Sequence, residues 1–93
     1  MAGATYHLKI LTPAEVVYDG DVESMVAPGE AGYLGVLANH APLITTLKPG
    51  DLKIADANGE KWFAISAGIL RVAKNEAILL SESVEESTAP ESA

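Results

Sequence analysis

The 93 residues, 48% hydrophobic and 20% charged, suffice for one domain with one core and leave no length for a second. The absence of cysteine excludes a disulfide framework and a thiolate metal site, and no apolar run reaches bilayer-spanning length, so direct membrane insertion is not expected. The formal net charge is −7, of which residues 1–80 carry −3 and residues 81–93 carry −4; no basic patch is left to neutralise phosphates, which argues against nucleic-acid binding.

Along the chain, Tyr6, Leu8 and Ile10 alternate with His7 and Lys9, which predicts a half-buried strand closed by Thr12-Pro13. A second run begins at Glu15-Val16-Val17-Tyr18, meets a predicted bend or bulge at Gly20 and resumes over residues 21–27. There Val22, Ser24 and Val26 oppose Asp21, Glu23 and Met25. Pro28 through Gly32 reads as a turn cluster, Leu34-Gly35-Val36 as a short extended piece, and Gly32 through Leu43 as a whole as a shaped surface loop between two short strands. Leu43 through Leu47 is β-branched and apolar, and Pro49-Gly50 suits the central positions of a type II turn. Leu52 through Ala55 alternates again, Asn58-Gly59 carries the strongest hairpin signal, and Lys61 through Ser66 follows as a strand. Trp62 and Phe63 must point to opposite faces of it, one into the core. Ile69 through Ala73, a tight connection at Lys74-Asn75-Glu76, and Ala77 through Leu80 complete the series. No helical period is sustained, so the expected fold is an all-β sandwich or barrel. Residues 1–80 form that expected domain, and residues 81–93 read as an acidic, disordered tail rather than an element.

Little in this chain suits catalysis. His7 and His40 are separated without metal-ligand spacing, and Gly29-x-x-Gly32-x-x-Gly35 lacks both the dinucleotide fingerprint and the P-loop lysine, so no catalytic residue, metal, cofactor or nucleotide is expected. A small metal-dependent enzyme built on His7 and His40 is the weakest alternative. Tyr33 and His40 in a stiff apolar loop also fit the small core of a protein interface, against the plainer reading that His40 bonds a nearby carbonyl and Pro42 locks a turn. Glu15, Asp19, Asp21, Glu23 and Glu30 read as solvated surface.

Four motifs in register carry a family resemblance: Tyr6-His7-Leu8; Gly35-Val36 with Asn39-His40-Ala41-Pro42-Leu43; Leu47-Lys48-Pro49-Gly50; and Ser66-Ala67-Gly68-Ile69-Leu70. Spanning Thr5 to about Leu80, they resemble the N-terminal β-sandwich domain of the ε subunit of F-type ATP synthases, called δ in mitochondria. The resemblance implies a two-sheet β-sandwich of about ten short strands without a C-terminal helical domain. It further implies a central-stalk rotor subunit that binds the γ subunit and the c-ring at the cytoplasmic face of the bacterial inner membrane. The family's γ-facing histidine loop maps to His40, Ala41, Pro42 and Leu43, and its ring-facing turn to Glu30, Ala31, Gly32 and Tyr33, where many members carry an acidic residue at the position of Tyr33. The family's C-terminal helical hairpin, used for inhibition and ATP sensing, is expected to be missing from this short form. A free-standing sandwich that binds a peptide or soluble protein through the same loop is the alternative.

Overall fold

Strand β1 (Tyr6–Leu11) buries Tyr6, Leu8 and Ile10 and turns Lys9 to solvent, as the alternation predicts. The computed structural model describes residues 4–88, and nine further strands follow β1. These are β2 (Val16–Val22), β3 (Ser24–Gly29), β4 (Gly32–Leu37), β5 (Leu43–Leu47), β6 (Gly50–Asp56), β7 (Gly59–Ile65), β8 (Gly68–Ala73), β9 (Glu76–Ser81) and β10 (Val84–Ser87). They form one sheet in the order β10-β7-β6-β3-β5-β8-β9-β1-β2, with β4 hydrogen-bonded to β3. The two sheets expected of a sandwich are thus two layers of one folded sheet. The crossing between them is the short β3–β5 contact: Glu30 N–H donates to the Thr46 carbonyl at 3.3 Å, and Lys48 N–H donates to the Pro28 carbonyl at 2.9 Å, either side of the Gly29–Leu47 pair.

Between the layers lie Leu8, Ile10, Met25, Leu52, Ile54, Phe63, Leu70 and Leu79, all buried. Phe63 is the aromatic that enters the core, and Trp62 lies on the outer face with the Lys53 ammonium 5.8 Å from its ring. The seam between β2 and β6 is closed by side chains. The Tyr18 hydroxyl donates to Asp56 Oδ2 at 2.8 Å, and its ring meets Phe63 edge-on at 6.3 Å.

Several expectations need correction. Gly20 is not a bend: it pairs with Leu8 inside the β1–β2 ladder, whose register shifts near Ile10 and Leu11 instead. The break falls at Glu23, whose N–H donates to the Ala55 carbonyl at 2.7 Å, and this one extra residue between β2 and β3 reverses the alternation, so that Met25 and Ala27 are buried with Val22 while Ser24 and Val26 are half-buried. Pro28 and Gly29 belong to β3, which leaves only Glu30 and Ala31 as the turn into β4. Gly32 through Leu37 is likewise a strand, so the shaped loop shrinks to residues 38–42. Gly50 opens β6 instead of completing a type II turn; among the described residues the glycines with positive φ are Gly32 at 134° and Gly59 at 115°. Asn58 shares the β6–β7 turn with Ala57, and Gly59 already pairs with Asp56.

The chain beyond Leu80 also departs from the expected tail. Val84–Ser87 is strand β10, paired with β7 from Val84–Ile65 to Ser87–Trp62, and residues 89–93 lie outside the described residues. Composition misled here because a ladder needs backbone groups, not apolar side chains. A buried hydroxyl prepares the turn: Ser81 Oγ sits 2.7 Å from Ser66 Oγ and within 3.2 Å of the Ser66, Ala67 and Ser83 carbonyl oxygens, and Ser83 N–H donates to Ser66 Oγ at 3.1 Å. Gly68 sits beside this cluster because a Cβ there would collide with the Leu80 carbonyl.

The Tyr18–Asp56 bond sets a pH dependence. Burial, then the bond to Asp56, pushes the Tyr18 phenol from its ordinary 10.0 up to about 12, and the same bond lowers the Asp56 carboxyl. A tyrosine whose folded value is raised stabilises the fold fully below the unfolded value and loses that contribution as pH rises through the folded one. Asp56 acts in the opposite sense, losing its contribution as pH falls below the ordinary carboxylate range. Denaturant unfolding measured from pH 10 to about pH 12 is expected to show a shallower loss of stability for Tyr18→Phe than for wild type. Parallel curves for the two proteins would contradict this role of the seam.

Candidate protein-interaction surfaces

The segment of residues 38–42 leaves β4 and enters β5 through a left-handed residue, Asn39 with φ 64°. What holds it is Asn75. Lys74 and Asn75, with φ 53° and 60°, fill the two-residue turn between β8 and β9, the geometry of a type I′ hairpin. Asn75 Oδ1 accepts from Asn39 N–H at 2.8 Å, its Nδ2 donates to the Thr5 carbonyl at 2.8 Å, and its own carbonyl accepts from His7 N–H at 3.3 Å. One residue therefore ties the start of β1 and the histidine loop to the β8–β9 turn. The sequence marks Lys74-Asn75 only as a tight connection; a long-range clasp has no local signal.

Within the loop, His40 Nδ1 lies 2.8 Å from the Ala41 carbonyl, a contact that places the ring proton on Nδ1 and leaves Nε2 as the free ring nitrogen. Ala41 and Pro42 are exposed, whereas Leu43 is half-buried and packs against the core. Glu30, Ala31, Gly32 and Tyr33 lie elsewhere. Glu30 and Ala31 form the tip of the β3–β4 hairpin, Gly32 begins β4, and Tyr33 is 63% exposed. Strand β4 separates the two segments by roughly 17 Å of extended chain. The histidine loop and the β3–β4 tip thus lie at opposite ends of one strand.

A third surface escapes the motif search. On the outer face of the β5–β8–β9–β1 layer, the pairing aligns Ile44, Arg71, Ile78 and Lys9 in one row and Thr46, Ile69, Leu80 and Leu11 in the next. Ile44 is 74% exposed, Ile69 50%, Leu80 47% and Ile78 38%. Scattered exposed aliphatics are ordinary, but four on three adjacent strands in neighbouring rows form a patch. The signal exists in the sequence: consecutive pairs such as Leu43-Ile44 and Ile69-Leu70 and the run Ile78-Leu79-Leu80 cannot all face inward in a strand of period two.

The histidines do not converge on one centre. His7 Nε2 meets Asp19 Oδ1 at 2.5 Å and its Nδ1 meets Asp21 Oδ1 at 3.3 Å on the surface of the β1–β2 pair, while His40 is engaged by its neighbour's carbonyl. Among the described residues, no group of three or more histidines and carboxylates is arranged to hold a metal ion.

The folded ten-stranded sheet, with its apolar outer patch and clasped loop, is a β-sandwich. Residues 5–87 match the family described as "ATP synthase, Delta/Epsilon chain, beta-sandwich domain", and the chain belongs to it. The ATP synthase epsilon chain of Syntrophomonas wolfei is 40% identical over 86 residues, covering 91% of this chain and 63% of that protein. The sodium-ion-specific ATP synthase epsilon chain of Propionigenium modestum is 37% identical over 79 residues, covering 85% of this chain and 58% of that one. The chain thus spans less than two thirds of the length of these relatives. Among solved structures, a chain of the Euglena gracilis mitochondrial ATP synthase superposes with a TM-score of 0.84 at 22% identity, over 90% of this chain and 54% of that one. A chain of the Tetrahymena thermophila mitochondrial ATP synthase central stalk and c-ring gives 0.69 at 18% identity, over 84% and 63%.

The clasp is testable. Glycine accepts the positive φ of Asn75 but cannot make its side-chain bonds, so Asn75→Gly separates the two contributions. The variant is expected to stay folded, with about 1–2 kcal/mol less stability, and to show faster hydrogen exchange at the Asn39 amide. Unchanged exchange at Asn39 would show that the loop is held by something else.

Proposed function

We propose that this chain is a rotor component of an F-type ATP synthase, binding the γ subunit through the outer face of the β5–β8–β9–β1 layer and presenting the β3–β4 tip toward the c-ring. The observation that carries the γ assignment is the exposed aliphatic patch of Ile44, Ile69, Ile78 and Leu80. Burying such side chains contributes about 1.5–3 kcal/mol each when complete, enough for a few of them to anchor an interface. His40, Ala41 and Pro42 rim the patch, since Leu43 leads directly into Ile44. Lys9 and Arg71, in the same row as Ile44 and Ile78, would favour acidic residues on γ and fix orientation more than affinity.

Glu30, Ala31, Gly32 and Tyr33 sit at the other end of β4, so one body can meet γ on its flank and the polar loops of the ring at its tip. Its role is mechanical rather than catalytic: to carry ion-driven rotation of the ring to γ without deforming. The continuous sheet, the Tyr18–Asp56 seam and the Asn75 clasp supply the stiffness that this requires. The complex places the chain at the cytoplasmic face of the bacterial inner membrane, held there through its partners.

Binding to purified γ tests the assignment. The double substitution Ile44→Glu with Ile69→Glu is expected to weaken binding by at least about thirtyfold, the equivalent of the ~2 kcal/mol that marks an interface hot spot, while both exposed positions leave the fold intact. His40→Ala, on the rim, is expected to cost less than tenfold, roughly under 1.4 kcal/mol. Wild-type affinity in the double variant would remove γ from this face, and a folded wild-type chain that binds no γ would favour a free-standing binding module.

A further inference from the structure

We infer that Asn58 is a site of spontaneous covalent modification, its side-chain amide converting to aspartate or isoaspartate, and that the conversion loosens the Tyr18–Asp56 seam. The chain has three asparagines, Asn39, Asn58 and Asn75, followed by His40, Gly59 and Glu76. Intramolecular attack on an asparagine amide uses the backbone nitrogen of the next residue, so the bulk of that residue governs how closely nitrogen and carbon approach. Gly59 has no side chain in the way, and a Cβ placed there would meet nothing within 4 Å, so the approach is open.

The surroundings of the three amides differ as well. Asn75 has both side-chain atoms engaged, Oδ1 by the Asn39 N–H and Nδ2 by the Thr5 carbonyl. Asn39 is exposed, but His40 follows it. Asn58 and Gly59 are both exposed. Among the described residues the Asn58 backbone N–H donates to Asp56 Oδ1 at 2.8 Å while its side chain makes no hydrogen bond, so the amide is free to turn toward the Gly59 nitrogen. Gly59 pairs with Asp56 at the very end of the β6–β7 ladder, and a terminal pair opens without unfolding the rest.

The step balances with water alone. The Gly59 nitrogen gives up its proton and bonds to Asn58 Cγ, the Cγ–Nδ2 bond breaks, and the amide nitrogen takes up a proton and leaves as ammonia. Water then opens the cyclic imide at either carbonyl. Opening at Cγ restores the backbone and leaves aspartate at position 58. Opening at the main-chain carbonyl leaves isoaspartate, with the chain routed through the former side chain.

Asp56 makes the position consequential. Its Oδ1 accepts from Asn58 N–H and its Oδ2 accepts from the Tyr18 hydroxyl, each at 2.8 Å, so one carboxylate joins the turn to the seam. Either product adds a carboxylate to a turn that already holds Asp56 and Glu60; Lys53 is already paired with Glu60 at 3.6 Å, and Lys61 is the other nearby cation. Isoaspartate also lengthens by one methylene a turn whose two residues set the β6–β7 register. The site uses none of Ile44, Ile69, Ile78 or Leu80, and so stands whether or not those residues meet γ.

The test holds the purified chain folded at mildly alkaline pH and physiological temperature and follows the amide-to-acid mass gain by peptide mapping, with fragmentation that separates aspartate from isoaspartate. Conversion is expected at Asn58 ahead of Asn39 and Asn75, with isoaspartate among the products. Asn58→Gln is expected to resist it, because attack on the longer side chain closes a less favourable ring. Converted chain, separated by anion exchange, is expected to exchange hydrogen about tenfold faster at the Asp56 and Lys61 amides and to unfold at lower denaturant. That loss is expected to shrink in Tyr18→Phe, where the seam is already open. An Asn58 that stays intact in the folded chain while it converts in denaturant overturns the inference. So does conversion that leaves exchange and unfolding unchanged, or that costs as much in Tyr18→Phe as in wild type.

Discussion

The period-two geometry of a strand is the constraint on which this molecule depends. Each of ten strands gives one face to a shared interior, and because the strands belong to one folded sheet, a single core serves both layers. The interior is filled by Leu8, Ile10, Met25, Leu52, Ile54, Phe63, Leu70 and Leu79, and further large aliphatics on the same strands have nowhere to go but outside. The patch of Ile44, Ile69, Ile78 and Leu80 is that remainder, concentrated on one layer. The same geometry separates the two ends of β4 and so separates the histidine loop from the β3–β4 tip.

A small domain of this kind has only modest stability, so a few polar ties decide which regions are rigid. Tyr18 and Asp56 close the seam between layers, Ser81 fixes the approach to β10, and Asn75 joins the first strand, the histidine loop and the β8–β9 turn. Each such bond contributes on the order of 1 kcal/mol, but they act at the places where the sheet alone leaves the chain free. These ties act where the ladder pairing stops.

How much of this is legible in the sequence differs from element to element. The alternation at Tyr6, Leu8 and Ile10 and the hairpin near Asn58-Gly59 are visible because one face is buried and one turn has strong chemistry. The reversal at Glu23 is not visible, because a single extra residue leaves no mark in composition while it inverts the side chains of β3 relative to β2. Strand β10 is hidden because Val84-Glu85-Glu86-Ser87 is held by backbone pairing to β7, with Val84 as its single apolar side chain against the core. Of the surfaces, His40 and Tyr33 attract notice as unusual residues, but that Leu43 supports the core, that Asn75 holds the loop and that the aliphatics align in rows are consequences of register between distant strands.

The central claim is that the β5–β8–β9–β1 face is the γ-binding surface. Methyl cross-saturation from γ to an isotopically labelled chain reads it most directly, because the chain has isoleucines both in its core and on the patch. Saturation is expected at the methyls of Ile44, Ile69, Ile78 and Leu80, and not at Ile10, Ile54 or Ile65. A complex in which the patch methyls stay unsaturated while Leu37 or the Ala41 methyl receives the transfer would contradict the account.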